Sequence, residues 1–380
     1  MRNVEEPQVA GPGKGAPPLL ALPAGADRSG GDALPVLMPG RWMRTLFGLA
    51  GLSLLVVVAC LRLGFEEIGW GDMLRIFGQA LRGGEWTSQA EQTAGVILLQ
   101  VRLPRVLLGF LVGGTLAGVG VGLQALLRNP LADPYIMGIS SGAALGAGIA
   151  ILLGIGTTVM AISALPLCAF LGGLVSLAIV YRIAASYGRL PVHTLLLAGV
   201  ILNAMFSALI MFIASILDPN RAFGMMYWLM GTLSAPNYTT LVVLLCYLAA
   251  GGVVLLGQVR ALNLLSLGED AARSLGVEVE TSKKLVFITA ALLTGAVVSV
   301  SGLIGFVGLV VPHAVRLVLG PDHRLLLPAA AMVGGMFLVL ADAVARTVFA
   351  PAEIPVGVVT ALAGGPVFIY LLMNRKGGLA

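Results

Sequence analysis

The sequence predicts an all-α, polytopic membrane protein with about ten transmembrane helices, and three observations carry that prediction. Of its 380 residues 58% are hydrophobic and only 11% charged, whereas a soluble domain carries roughly 25% charged residues to cover its surface. From Arg41 onward, long apolar runs alternate with short polar breaks. The 51 glycines suit membrane helices, where small residues let backbones approach closely. In a soluble helix each would cost about 1 kcal/mol relative to Ala.

Residues 1–40 are rich in Pro and Gly and lack periodicity, so they are expected to form a disordered cytoplasmic tail. The apolar stretch Leu19–Leu22 is too short for the core of a signal peptide. GPGKGAPP, in the same segment, lacks the spacing of a phosphate-binding loop and follows no strand. Residues 41–380 are expected to form the transmembrane domain. A span needs roughly 20 apolar residues, and candidate spans fall at 45–63, 95–121, 136–154, 158–181, 192–217, 238–259, 284–304, 306–319, 325–345 and 355–373. The run 306–319 is short for a full crossing, and Phe223–Gly231 reads as a short helix in a loop. Cys60, Cys168 and Cys246 lie inside apolar segments without paired spacing, and read as small packing residues.

Ten crossings put both termini on one side, and positive charge decides which. With a cytoplasmic N-terminus, sixteen Lys/Arg lie inside; seven lie outside, namely Arg62, Arg75, Arg82, Arg102, Arg105, Arg221 and Arg346. Both termini are therefore expected on the cytoplasmic face of a bacterial inner membrane. The net charge of +5 is a topological signal. The basic residues are scattered among membrane loops and form no stripe, which argues against a nucleic-acid partner.

The absences bear on mechanism. No Asp, Glu, Lys or Arg occurs between Val106 and Leu127, Tyr135 and Tyr181, Thr194 and Leu217, or Leu285 and Val311. A proton-coupled carrier needs an ionisable group at membrane depth, and only His313 and the pair Asp342–Arg346 come close. There is no arginine ladder for voltage sensing and no convergent polar cluster for hydrolysis. No enzymatic centre, metal site or cofactor site is expected in this chain. Energy for uphill transport would then enter from another polypeptide; the alternative is an ion-coupled secondary transporter working through backbone carbonyls. His313 and His193 read as packing residues rather than ligands, and the methionines around Met225–Met230 as apolar filling. Asn129 and Asp133 read as caps of the tight NPLADP turn.

The longest polar stretch on the inner side is ALNLLSLGEDAARSLGVEVETSKK, in the loop 260–284. Leu267, Ala271 and Leu275 recur at i, i+4 and i+8, giving one apolar ridge on a short helix. Gly268 and Gly276 bracket it, the latter placed for a left-handed stop. Glu269 and Asp270 complement the helix dipole in the first turn. Such a short helix does not stabilise itself. Its ridge either docks in a partner's groove or rests on the protein's own inner surface, and the pattern does not choose.

RLPRVLLGFLVGGTLAGVGVGLQALLRNPLADPYIMGISSGAALGA (Arg102–Ala147) resembles the signature of the FecCD family of permeases. LLLAGV (Leu195–Val200), YWLMGTLS (Tyr227–Ser234), LGEDAARSLGV (Leu267–Val277), GLIGFVGLVVPHAVRLVLGPDHRLLLP (Gly302–Pro328), ADAVAR (Ala341–Arg346) and EIPVGVVTALAGGPVFIYLL (Glu353–Leu372) match in the same order. The resemblance covers roughly residues 42–375; the N-terminal tail departs from it. It implies the membrane permease of an ABC importer for a bulky metal chelate, ferric siderophore or heme ahead of cobalamin. It also implies a homodimer with the path along its axis, two cytoplasmic ATPase subunits carrying the ATP and Mg, and a periplasmic binding protein. The loop residues Leu264, Leu267, Gly268, Glu269, Ala271, Ala272, Leu275 and Gly276 would then be the coupling element seated in the ATPase. Arg102, Arg105 and Arg346 would meet acidic residues of the binding protein. Membrane-end arginines also snorkel to headgroups, and Asp342, one turn from Arg346, is an internal partner for it. The substrate path is expected to be weakly polar; the sequence does not identify its residues.

Overall fold

The computed structural model describes residues 39–64, 66, 68–83, 88–155, 158–159, 162–185, 190–234 and 236–374. The expected disordered tail lies outside the described residues except for Pro39 and Gly40, which open the first helix. A proline suits that place, because an N–H there has no helical partner to lose.

The helices in chain order are α1 (Pro39–Arg62), α2 (Trp70–Arg82), α3 (Gln89–Val96), α4 (Leu103–Leu126), α5 (Ile139–Leu152), α6 (Ala164–Ala184), α7 (Val192–Ile216) and α8 (Pro219–Leu229). They continue as α9 (Tyr238–Gly257), α10 (Val259–Leu265), α11 (Glu269–Ser274), α12 (Val279–Ser301), α13 (Val307–Leu319), α14 (His323–Thr347) and α15 (Val356–Asn374). A π-helical turn, Ile97–Arg102, joins α3 to α4 in one continuous rod. Pro104 has no N–H to offer the carbonyl four residues earlier, and a widened turn just before it accommodates the loss. A two-residue antiparallel ladder pairs Thr158–Val159 with Ile162–Ser163.

Seven of these elements are long and apolar enough to cross a bilayer: α1, the α3–α4 rod, α6, α7, α9, α12 and α14. The apolar helices α5, α13 and α15 are shorter. Each of the ten falls on one of the ten expected runs. α13, with 13 residues, extends about 20 Å, short of the roughly 30 Å hydrocarbon core. Sequence reading missed α2, an amphipathic helix with Met73 and Ile76 buried and Trp70, Leu74 and Leu81 exposed. The expected loop helix at 223–231 begins earlier, at Pro219, where Asp218 accepts from the Arg221 N–H.

The bundle is built around the α4–α14 pair. Gly113 and Gly334 oppose each other there, and a Cβ on either would collide with the other's carbonyl oxygen. α5 and α6 cross in the same way at Gly142 and Gly172. The glycine content thus does the job expected of it, closing helix crossings to backbone contact. Irregular backbone also enters the interior, between α4 and α5 and before α13. Gly308, in the first turn of α13, packs on the Leu116 carbonyl and on Pro134. Inside a membrane such backbone is tolerated only where protein groups satisfy it. The Gln124 side chain donates to the Gly308 and Leu309 carbonyls, both at 3.3 Å. The hydroxyls of Ser141 and Ser176 donate to the Gly138 carbonyl at 2.9 and 2.7 Å. Asn129 and Asp133 accept from the N–H groups of Leu131 and Tyr135, the turn capping their spacing predicts.

Candidate functional sites at the two ends of the bundle

At the end that the charge distribution assigns to the cytoplasm, α9 stops at Gly257 and the chain runs through α10 and α11 into α12. The expected loop helix, bracketed by Gly268 and Gly276, is α11, and a further short helix, α10, precedes it, the two separated at Gly268 with φ +126°. Gly276 ends α11 at φ +82°, the left-handed stop its position predicts. The loop is also shorter than 260–284: α12 already begins at Val279, so Lys283 and Lys284 are helical.

α11 has six residues and is held from outside itself. Ala272 is fully buried against Leu265 and Val279. Lys283, buried on α12, donates to Glu269 at 3.1 Å and to Glu280 at 3.2 Å. Asn263 of α10 donates to Asp322 at 2.8 Å and accepts from the His323 N–H at 2.9 Å, tying α10 to the start of α14. Against this anchored side stands an open one. Leu267 is 69% exposed and Leu275 53%; Ala271 and Leu264 are half-buried. Leu267 and Leu275 thus stand away from the chain's own surface.

At the opposite end the three candidate arginines converge with Asp342. Asp342, 1% exposed, receives Arg105 on one oxygen at 3.0 Å and Arg346 on the other at 2.9 Å. Arg105 also pairs with Glu353 at 2.9 Å. Arg346 donates to the Leu63 carbonyl at 2.9 Å and to that of Cys60 at 3.5 Å. Arg102 donates to the carbonyls of Leu61 at 3.2 Å, of Arg62 at 2.9 Å and of Glu66. The last four carbonyls of a helix have no partner within it. Here Arg102 and Arg346 satisfy those at the C-terminus of α1.

The three arginines are largely enclosed by the chain's own groups. Arg102 and Arg346 are 5% and 7% exposed, donating to carbonyls at and just beyond the end of α1 and, from Arg346, to Asp342. Arg105, at 13% exposure, leans on the 44% exposed Glu353 and is the member a partner carboxylate could reach by displacing a side chain alone. The arginines and Glu353 border a pocket of about 170 Å³ together with Gly64 and Glu66. Sequence reading named Asp342 as a partner of Arg346 but missed Glu353 and the capping of α1. His313 is buried within α13, and His193 is exposed at the start of α7.

Residues 52–374 match the model of the FecCD transport family. A cobalamin import system permease, BtuC, of Halobacterium salinarum is 47% identical over 286 residues, 75% of either chain. The hemin transport system permease HmuU of Yersinia pestis is 40% identical, over 85% of this chain and 95% of its own. A vitamin B12 import system permease, BtuC, of Klebsiella pneumoniae is also 40% identical, over 90% and 97%. Among solved structures, an inward-facing metal-chelate type ABC transporter superposes with a TM-score of 0.73 at 33% identity, covering 87% of this chain and 99% of that one.

Proposed function

The chain belongs to the FecCD transport family, and from that membership we propose how this membrane permease of the ABC importer type works and with whom. It acts as a homodimer, with two ATPase subunits on the cytoplasmic side and a binding protein on the periplasmic side of a bacterial inner membrane. Both termini are cytoplasmic. The cargo is a bulky metal chelate: heme, a ferric siderophore or cobalamin. The relatives named above agree on the permease and differ in cargo, so the cargo is left to measurement.

The observation that carries this reading is the pair of exposed leucines, Leu267 and Leu275, that flank α11, a helix anchored to α12 through Ala272 and Glu269. Burying such leucines in a partner cleft stabilises by about 1.5–3 kcal/mol each. Because α11 is anchored through Ala272 and Lys283, a push on the ridge moves α12 rather than only the loop. Closure of the ATPase pair is in this way transmitted to the spans. At the outer end the binding protein's carboxylates address Arg105, in competition with Glu353. Interfacial charge pairs of this kind set orientation and encounter rate more than affinity.

The test is uptake into proteoliposomes holding the permease, its ATPase and its binding protein, with heme, a ferric siderophore or cobalamin as cargo. ATP-dependent uptake of one cargo, lost in Leu267→Asp and slowed in Arg105→Glu, is the expected result. Uptake that persists without the ATPase sinks the coupling role of the loop.

A further inference from the structure

A cleft of about 370 Å³ runs along the membrane face of the bundle, between α9 and α14. Both helices pack on α4, which forms its floor, while they make no extensive contact with each other. Its walls are apolar, among them Phe110, Gly114, Leu245, Gly252, Leu256 and Leu327. From Leu245 to Leu256 it follows α9 for about 16 Å, half of a hydrocarbon core of about 30 Å. That is the reach of one leaflet. The cleft opens sideways, where Leu245 and Leu256 are 46% and 50% exposed.

At the end of this cleft nearer α10 lies a second pocket of about 250 Å³, lined by Arg260, Asn263, Leu264, Leu275 and Arg324. The two linings adjoin at the α9–α10 junction and the start of α14: Arg260, in the first turn of α10, comes four residues after Leu256, and Arg324 precedes Pro328 by one turn of α14. Both arginines are exposed, and neither pairs with a carboxylate among the described residues. The nearby Asp322 is committed elsewhere, accepting from the Asn263 side chain and from the Arg324 N–H. An apolar slot one leaflet deep thus ends in two unpaired guanidinium groups at headgroup level.

We propose that this seam is a binding site for an anionic phospholipid, with an acyl chain in the α9–α14 cleft and the phosphate between Arg260 and Arg324. Basic pockets between membrane helices on the cytoplasmic side suit anionic headgroups, and a guanidinium fork matches phosphate geometry. Leu264 and Leu275 line the headgroup pocket, so the lipid touches the loop α10–α11 directly. The occupied site braces that loop against α14. The inner leaflet assignment rests on the orientation proposed above; the binding itself does not.

The experiment is native mass spectrometry of the purified full-length permease, in micelles doped equally with phosphatidylglycerol and phosphatidylcholine. The wild type is expected to retain phosphatidylglycerol preferentially. Each arginine near the surface contributes about a fivefold preference, so Arg260→Gln with Arg324→Gln reduces it roughly 30-fold. Gly252→Leu, whose side chain enters open space and improves helix propensity, is expected to expel both lipids while the protein stays folded. Equal retention of the two lipids by the wild type overturns the proposal. So does displacement by soluble glycerol phosphate, which would mark a free-anion site. Arginine variants that weaken ATPase association while retaining phosphatidylglycerol would also overturn it, assigning the pair to the protein interface.

Discussion

The two ends of the bundle solve opposite problems. At the Asp342 end, three arginines meet Asp342, Glu353 and the open carbonyls of α1, and the described hydrogen bonds close within the chain. At the α10–α11 end, two leucines that flank a helix too short to hold itself stand more than half exposed. The lesson is one of self-sufficiency. Charge buried without a partner is expensive, so the arginine cluster is completed internally, with Arg105 and Glu353 its more exposed members. An exposed apolar ridge costs little in a lone chain and gains its free energy when a partner covers it.

That contrast breaks most visibly at Asp342. Asp342→Ala strands two guanidinium groups in a buried site, and removal of one member of such a network costs about 3–5 kcal/mol. A melting curve of the detergent-purified permease should fall by many degrees; an unchanged midpoint would show that the network is not structural. Leu267→Ala should do the reverse. The midpoint stays put, because the side chain is exposed, while ATPase binding weakens by about 1.5–3 kcal/mol, read as at least a tenfold rise in Kd. Gly276→Ala probes the hinge, where nothing would touch the new methyl group but φ is +82°. The left-handed strain of about 1–2 kcal/mol should appear as faster hydrogen exchange confined to α11. Smallest in stability is Glu353→Gln, which breaks a partly exposed ion pair worth about 0–1 kcal/mol. It releases the Nη1 of Arg105 while Asp342 still holds the rest of the guanidinium, so association with the binding protein should quicken at low salt, and an unaltered rate would argue against Arg105 as the docking contact.

What could be read from the sequence was whatever a local pattern encodes. The ten apolar runs, the short α13, the left-handed Gly276 and the Asn129 and Asp133 turn caps all depend on neighbours within a few residues. The α2 helix escaped because Asp72, Arg75 and Arg82 break its apolarity and its buried stripe is only Met73 and Ile76. The arginine network escaped for a different reason. Arg105 and Asp342 are 237 positions apart, and Arg346 and Leu63 are 283 apart. No periodicity announces a pairing across that distance. α11 could be read from the glycines that bracket it, whereas α10 escaped because what holds it is the distant contact of Asn263 with Asp322 and His323.

The capping of α1 also has a temporal meaning. α1 is the first of the ten apolar helices to leave the ribosome, yet its outer end waits for Arg102 and then for Arg346, contributed by α14. Until α14 has inserted, two of its terminal carbonyls lack their donor. A nascent chain halted before α14 should therefore leave the 60–64 segment open to protease added from outside, and release of the complete chain should close it.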